Sequence, residues 1–386
     1  MSSSRPRHQR LIAIAAFLAM LAAACGDTAT ESTQTTPTSE VDTSAETSED
    51  TASTESDDHA DDHEHDTEGN HIDGSSEAVV GVDASLFLDG ALVGEPVVAD
   101  CTLSDGSASQ CYTITVPGTP VNHDAGPFCP TSTSDGADAG GLWLDGEASY
   151  EIDGEFFTEL ADIYGDEAWN NIVNDDGSIN VIDNAAEFQV AARPDITEEY
   201  YYHCVDGDVT WLDAGEQPTH TIQVPVAPVL ADAATAQFAE RAHSTLGVTL
   251  NGALLSGSAD MDAILSSYTI AAFDDCGGHI NPALGYHVHG TAGCSDVGDA
   301  PDGETPPFAY AIDGFTVHAP YDDAADVELD ECNGHFSDEY GYHYHAAPLE
   351  QNATLSCVMG LTAEGQNAGG GPGPGRGERP PRPDEG

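Results

Sequence analysis

Six histidines in two matching triads are the residues whose type and spacing could do chemistry in this chain. The first copy reads Asp274-Asp275-Cys276-Gly277-Gly278-His279 and then Gly285-Tyr286-His287-Val288-His289. The second reads Asp330-Glu331-Cys332-Asn333-Gly334-His335 and then Gly341-Tyr342-His343-Tyr344-His345, aligned at an offset of 56 without a gap. Alternate side chains of an extended segment share a face about 7 Å apart at the backbone, so each His-x-His can place two imidazoles on one ion. Tyr286 and Val288 then fall on the opposite face, toward a core. Cys-x-Gly-His supplies a third imidazole, its glycine expected to allow a tight turn and its cysteine, if bridged, to fix the loop. Each copy thus offers three neutral nitrogen ligands, His279, His287 and His289, then His335, His343 and His345. Such a set suits a transition metal, copper or zinc, and the spacing fits either two sites or one shared where the copies meet. Asp274, Asp275, Asp330 and Glu331 are expected to orient the rings from behind. The competing reading is a hydrogen-bonded polar core of histidine and tyrosine with no metal.

The elements that must hold these residues read as mainly β. Short alternating or β-branched stretches recur between Asp-Gly and Asn-Gly turns: Ser85 to Leu88, Tyr112 to Val116, Gly141 to Leu144, Val209 to Leu212 and Thr221 to Val226. Apolar residues near helical spacing predict a helix over Glu155 to Trp169, and Ala231 to Leu246 reads as a second helix or an Ala-rich connector. The fold class is therefore mainly β, α+β with few short helices, a disulfide-stabilised β-sandwich-like domain containing the duplicated unit. Length allows two sub-domains, a β-rich region over 78–230 and the repeat region over 231–364, with a seam near Pro225 to Pro228.

The ends read differently. Arg5, Arg7 and Arg10 precede an apolar run from Leu11 to Ala24 too short to span a bilayer, a secretory signal over 1–24. Leu21-Ala22-Ala23-Ala24-Cys25 resembles the lipobox of bacterial lipoproteins, which implies acylation at Cys25 and contact with the membrane through that anchor alone. Residues 25–77 are Thr, Ser, Asp and Glu with almost no large apolar side chain, an acidic tether that cannot repay the entropy of ordering. Within it His59, His63, His65 and His71 stand among acids, a mixture that collects metal loosely or merely stays solvated. Residues 365–386 are a Gly/Pro/Arg tail. Eight basic residues against 69 acidic give a net charge of −61, which excludes nucleic acid as a partner. Of nine cysteines, eight remain beside Cys25, namely Cys101, Cys111, Cys129, Cys204, Cys276, Cys294, Cys332 and Cys357, and in an exported chain four disulfides are the expectation.

Gly341-Tyr342-His343-Tyr344-His345, the upstream Asp-x-Cys-x-Gly-His, Tyr310-Ala311-Ile312-Asp313-Gly314-Phe315 and the stretch Leu246 to Gly252 together resemble the YHYH domain family. The resemblance implies a repeat unit and an exported, cell-envelope context but no reaction, and Val288 departs from it where tyrosine would stand. His343-x-His345 followed by Glu350 also partly resembles the cupin metal motif, without its closing glycine. His123, His203, His220, His243 and His318 are isolated; of these His123, His203 and His318 are candidates to approach a site. Two functions follow: a lipid-anchored binding protein for copper or zinc, or a metal-dependent envelope enzyme, oxidoreductase or hydrolase, whose ion keeps an open position. A structural surface protein is the third class. No Ser-His-Asp signature or Gly-rich phosphate loop assigns a catalytic residue, and the leaning is toward binding.

Overall fold

A computed structural model describes residues 81–193, 196–237, 244–301, 303–321 and 327–365. The signal segment, Cys25, the histidines of the tether, His243 and the tail beyond residue 365 lie outside the described residues.

Two short turns of equal length organise the centre of the molecule. Asn251-Gly252 and Asp313-Gly314 each put glycine in the left-handed region, at φ 96° and 91°, which closes a hairpin. The hairpins are β9 (Thr245–Thr249) with β10 (Leu254–Ser256), and β14 (Pro307–Ala311) with β15 (Thr316–His318). Each is followed by a second hairpin that carries a triad: β12 (Gly278–Asn281) with β13 (Gly285–Val288), and β16 (Gly334–Ser337) with β17 (Gly341–His345). Together they form one eight-stranded sheet in the order β12-β13-β10-β9-β14-β15-β17-β16.

That order is a palindrome, and the registers agree with it. Val248 pairs with Tyr310 where the halves meet. Leu255 lies beside Val288 across a parallel pair, as Val317 lies beside Tyr344. The repeated unit is therefore two hairpins long, with an offset of 62 in the inner hairpins (Val248 to Tyr310) and 56 in the outer ones. The triads sit on opposite wings, roughly 20–25 Å apart at ordinary strand spacing. There are two clusters, not one shared by the copies.

One face of the central strands meets a three-stranded antiparallel sheet, β1 (Val97–Thr102), β2 (Ala108–Val116) and β7 (His220–Pro225). Ile114, Val116, Ile222 and Val224 share a buried cluster with Val248, Leu250 and Tyr310, the sandwich-like part of the fold. A larger cluster joins Trp143, Phe157 and Phe188 to Phe273, Phe308 and Tyr344, so residues before and after Pro225 to Pro228 share one core. Smaller pairings complete the framework: β3 (Leu142–Leu144) with β4 (Ser149–Glu151), β5 (Val181–Ile182) and β6 (Cys204–Val205) with β11 (Ile270–Ala271), and β8 (Ala236–Gln237) with β18 (Cys357–Val358). The chain is mainly β, with short helices α1 (Gly154–Tyr164), α2 (Ala185–Ala191) and α3 (Met261–Ser266).

Four disulfides pair all eight cysteines expected to be oxidised: Cys101–Cys111, Cys129–Cys204, Cys276–Cys294 and Cys332–Cys357. The last two start from equivalent cysteines and close loops of 18 and 25 residues around the triad hairpins. In the chain-entropy account, loops of that length contribute about 3 kcal/mol each.

Local readings failed where aspartate competes with β propensity. Ser85 to Leu88 and Val209 to Leu212, read as strands, contain 3-10 turns at Ala84–Leu86 and Val209–Trp211. The carboxylates of Asp83 and Asp208 accept from Ser85 N and Thr210 N and hold those turns. The helix read over Glu155 to Trp169 begins at an Asp153 cap, but stops at Tyr164 because Gly165 turns left-handed at φ 67°. A 3-10 stretch, Glu167–Ile172, follows. Within Ala231 to Leu246 the described part is connector, strand β8 and the start of β9, with no helix among the described residues.

The two halves differ at a coupled pair of positions. Tyr344 donates its hydroxyl to Asp313 Oδ2 at 2.6 Å, and both are buried. Their equivalents are Val288 and Asn251, so the half that lacks the phenol also lacks the carboxylate. Burial pushes the Asp313 carboxyl up to about 6, against the bonds from Tyr344, Phe315 N and Gly360 N. A pKa raised above the unfolded value of about 3.9 contributes stability below that value, and the contribution is lost as pH rises through 6. In chelator-treated protein, the wild type should therefore lose stability relative to Asp313→Asn between about pH 4 and 6, measured by denaturant unfolding; a constant difference would show that Asp313 does not titrate there.

Candidate metal centre

Hairpin register creates the clusters. His279 stands directly opposite His287 in β12–β13, as His335 stands opposite His343 in β16–β17. Cross-strand partners project from the same face, and His289 and His345 follow two residues on from His287 and His343. The result is close convergence of ring nitrogens. In the first cluster His279 Nε2 lies 3.1 Å from His287 Nε2 and 3.2 Å from His289 Nε2. In the second, the three Nε2 atoms of His335, His343 and His345 lie 3.0–3.1 Å apart. Nitrogens on a tetrahedral zinc at 2.0–2.1 Å would be about 3.3 Å apart, so both sets are shaped like one face of a coordination shell.

Backbone carbonyls set which nitrogens face inward. Gly285 O and Gly341 O can only accept, so His287 Nδ1 and His343 Nδ1, at 2.9 and 3.0 Å, must donate. His345 Nδ1 likewise reaches Ala319 O at 3.1 Å. In the neutral rings their Nε2 atoms therefore carry lone pairs. At the second cluster two such lone pairs, 3.1 Å apart, meet Glu304 Oε2, which is 3.1 Å from His343 Nε2 and within 3.7 Å of His335 and His345. The remaining donors, an N–H of His335 and the Tyr321 hydroxyl at 3.2 Å from it, can serve two of these acceptors at most.

Electrostatics favours the ligand-ready forms. Burial drives the His345 imidazole down to about 4, and the neighbouring His343 and His335 press in the same direction. His335 is lowered by burial first and by His343 next. Burial opposes ionisation of Glu304, but His343, Tyr321 and His335 outweigh it and hold the carboxyl below its usual range. Near neutral pH burial therefore favours the neutral imidazoles of His335 and His345, beside a Glu304 carboxylate.

Tyr321 and Tyr340 escaped the sequence reading along with Glu304, while His318, a candidate to approach a site, does reach this cluster. His318, buried, lies 4.3 Å from His343 between ring centroids; Tyr321 stacks on His345 at 3.9 Å; Tyr340 packs edge-on against His318 at 4.5 Å. His318 takes the place that Ser256 holds in the other half, a correspondence visible only once the inner hairpins are recognised as part of the repeat. Glu304 lies in the loop before β14 with no motif to mark it, and it, not the cupin-like Glu350, belongs to the cluster.

The expected ring-orienting role of the acids is corrected. Asp274 Oδ2 accepts from Tyr286 Oη at 2.9 Å and Asp330 Oδ2 from Tyr342 Oη at 2.6 Å. Their other oxygens accept from Cys276 N and Gly278 N, and from Cys332 N and Gly334 N. Asp275 and Glu331 are exposed, and Glu331 accepts from Ala234 N. Carbonyls thus orient His287, His343 and His345, while Asp274 and Asp330 fix the loops and the tyrosines behind them. The glycine reading is corrected as well. The left-handed turn residues are Gly277 and Asn333, at φ 82° and 64°. Gly278 and Gly334 are needed because a Cβ there would collide with the Tyr286 or Tyr342 hydroxyl.

Of the isolated histidines among the described residues, only His318 joins a triad. His123 Nε2 lies 3.3 Å from the Tyr286 hydroxyl; it also lies near Cys276 and Cys294, but those sulfurs are bridged and are not thiolate ligands. His203 bonds Tyr201 O, and His220 bonds Leu284 O.

What fold and site define is a disulfide-tied, mainly β protein with two histidine clusters that could hold metal ions. Residues 221–328 match the family described as YHYH protein, a stretch that takes in the inner hairpins and the first triad and ends before the second. No significant match to a curated protein or to a solved structure was found.

Gly334→Ala should displace the Tyr342 hydroxyl and strip the buried loop of its anchor, costing about 1–3 kcal/mol in denaturant unfolding. Adding Tyr342→Phe, which removes the colliding atom, should recover part of that loss; a neutral Gly334→Ala would refute the close-approach argument.

Proposed function

We propose that this protein is an extracytoplasmic, lipid-anchored binder of a transition metal, copper or zinc, with one ion at each histidine triad. The observation that carries the reading is the second cluster, where His343 Nε2, His345 Nε2 and Glu304 Oε2, all acceptors when the imidazoles are neutral, converge within 3.7 Å. Acceptors crowd this closely only around a shared cation or protons, and the two donors at hand are too few. Three imidazoles and a carboxylate are a donor set that zinc and copper both take. Export is supported by the arginines and apolar run of residues 1–24 and by the lipobox-like Cys25, and four disulfides suit an oxidising compartment. The acidic tether, with His59, His63, His65 and His71, would collect metal and pass it to the folded sites.

The test is elemental analysis of the full chain produced through an oxidising export route, exposed to zinc or copper(II) and gel-filtered. About two equivalents should remain above the content of a His287→Ala/His343→Ala double variant, and either single variant should retain about one. Chelator should lower the unfolding temperature of the wild type and not of the double variant, because an ion that binds only the folded state stabilises it. Equal metal content in the wild type and the double variant would leave a histidine and tyrosine polar core without metal.

A further inference from the structure

The two triads are alike in their own atoms and unlike in their surroundings. Glu304, Tyr321 and His318 crowd the second. Beside the first lies a cavity of about 60 Å³ that touches His279 and His289. Much of its wall is built by residues outside the paired hairpins, among them Ile264, Ala271 and Arg193. At roughly 10–15 Å³ for one water-sized group, it has room for about four to six such groups.

The lining has a distinct character. Most of the wall is apolar, which favours an alkyl group. Arg193 is the only lysine or arginine among the described residues of a chain with net charge −61, and it lines this cavity. Asp260, also on the wall, is engaged as the cap of α3, accepting from Ala263 N at 3.2 Å. His279 and His289 of the triad are also among its lining residues.

We propose that this cavity binds a short-chain carboxylate, its alkyl tail against the apolar wall and its head group toward Arg193 and the first triad. The head-group contact rests on the metal reading above; the cavity and Arg193 do not. The first site is then where an exogenous ligand meets the protein, and the second, with Glu304 supplied by the chain, needs none.

The test uses the full chain carrying His343→Ala, loaded with cobalt(II) so that the visible bands report the first triad, and titrated with acetate, propionate, butyrate and hexanoate. Affinity should rise about fourfold per added methylene up to butyrate, the gain for a buried CH₂, and stop rising at hexanoate when the space is full. Ala271→Phe, which fills the cavity, should abolish the response, and Arg193→Gln, at an exposed position, should weaken it about tenfold, with cobalt retained in both. Bound cobalt whose bands ignore butyrate, or a response unchanged in both variants, overturns the proposal and leaves the metal reading standing. If no cobalt binds, the metal reading has failed, and saturation-transfer NMR of butyrate with the metal-free wild type decides: a signal weakened by Arg193→Gln supports the cavity site, and no signal overturns it.

Discussion

Imidazole lone pairs held face to face are the constraint on which the rest of the molecule depends. Ring nitrogens 3.0–3.2 Å apart share too few protons to hold themselves there, because one N–H can bridge one pair and the lone pairs left facing each other repel. Something rigid must impose the geometry, and here it is antiparallel register, which sets His279 against His287 and His335 against His343. Register alone would leave the rings free to rotate. The carbonyls of Gly285, Gly341 and Ala319 remove that freedom by claiming the outer nitrogens. Behind each hairpin a tyrosine passes over a glycine to an aspartate, buried at Asp274 and exposed at Asp330, and a disulfide closes the loop. Each layer restrains the one in front of it.

Duplication supplied the scaffold and divergence separated its halves. The palindromic sheet places equivalent strands at equivalent distances from the Val248–Tyr310 pair. Around that frame, substitutions come in physically matched sets. Asp313 with Tyr344 becomes Asn251 with Val288, so neither half buries a carboxylate without its donor. At the sites, Ser256 and a neighbouring cavity on one wing stand against His318, Glu304 and Tyr321 on the other. The same three histidines thus occupy two environments, one enclosed by polar side chains and one bordered by apolar walls.

Much was determined by sequence alone. A repeat of Cys-x-Gly-His and Gly-Tyr-His-x-His at fixed spacing implies six histidines in two sets, because the two-residue period of a strand is a local property that no distant contact can undo. Eight cysteines besides Cys25, aspartate- and asparagine-glycine turns and sparse helical periodicity likewise point to an oxidised, mainly β fold. Where the local reading failed, at Ser85 to Leu88 and Val209 to Leu212, an aspartate side chain captured nearby amides, a competition between two local preferences of similar size.

Only the tertiary structure decided what surrounds the triads. Glu304, Tyr321 and His318 reach the second cluster from separate loops and strands, so no spacing rule connects them to its histidines. The separation of the clusters onto opposite wings follows from strand order, which depends on pairings between residues far apart in the chain. The roles of Gly278 and Gly334 were hidden for the same reason: what excludes a Cβ there is a tyrosine hydroxyl arriving from the facing strand, and a sequence records which residue is small without recording what presses against it.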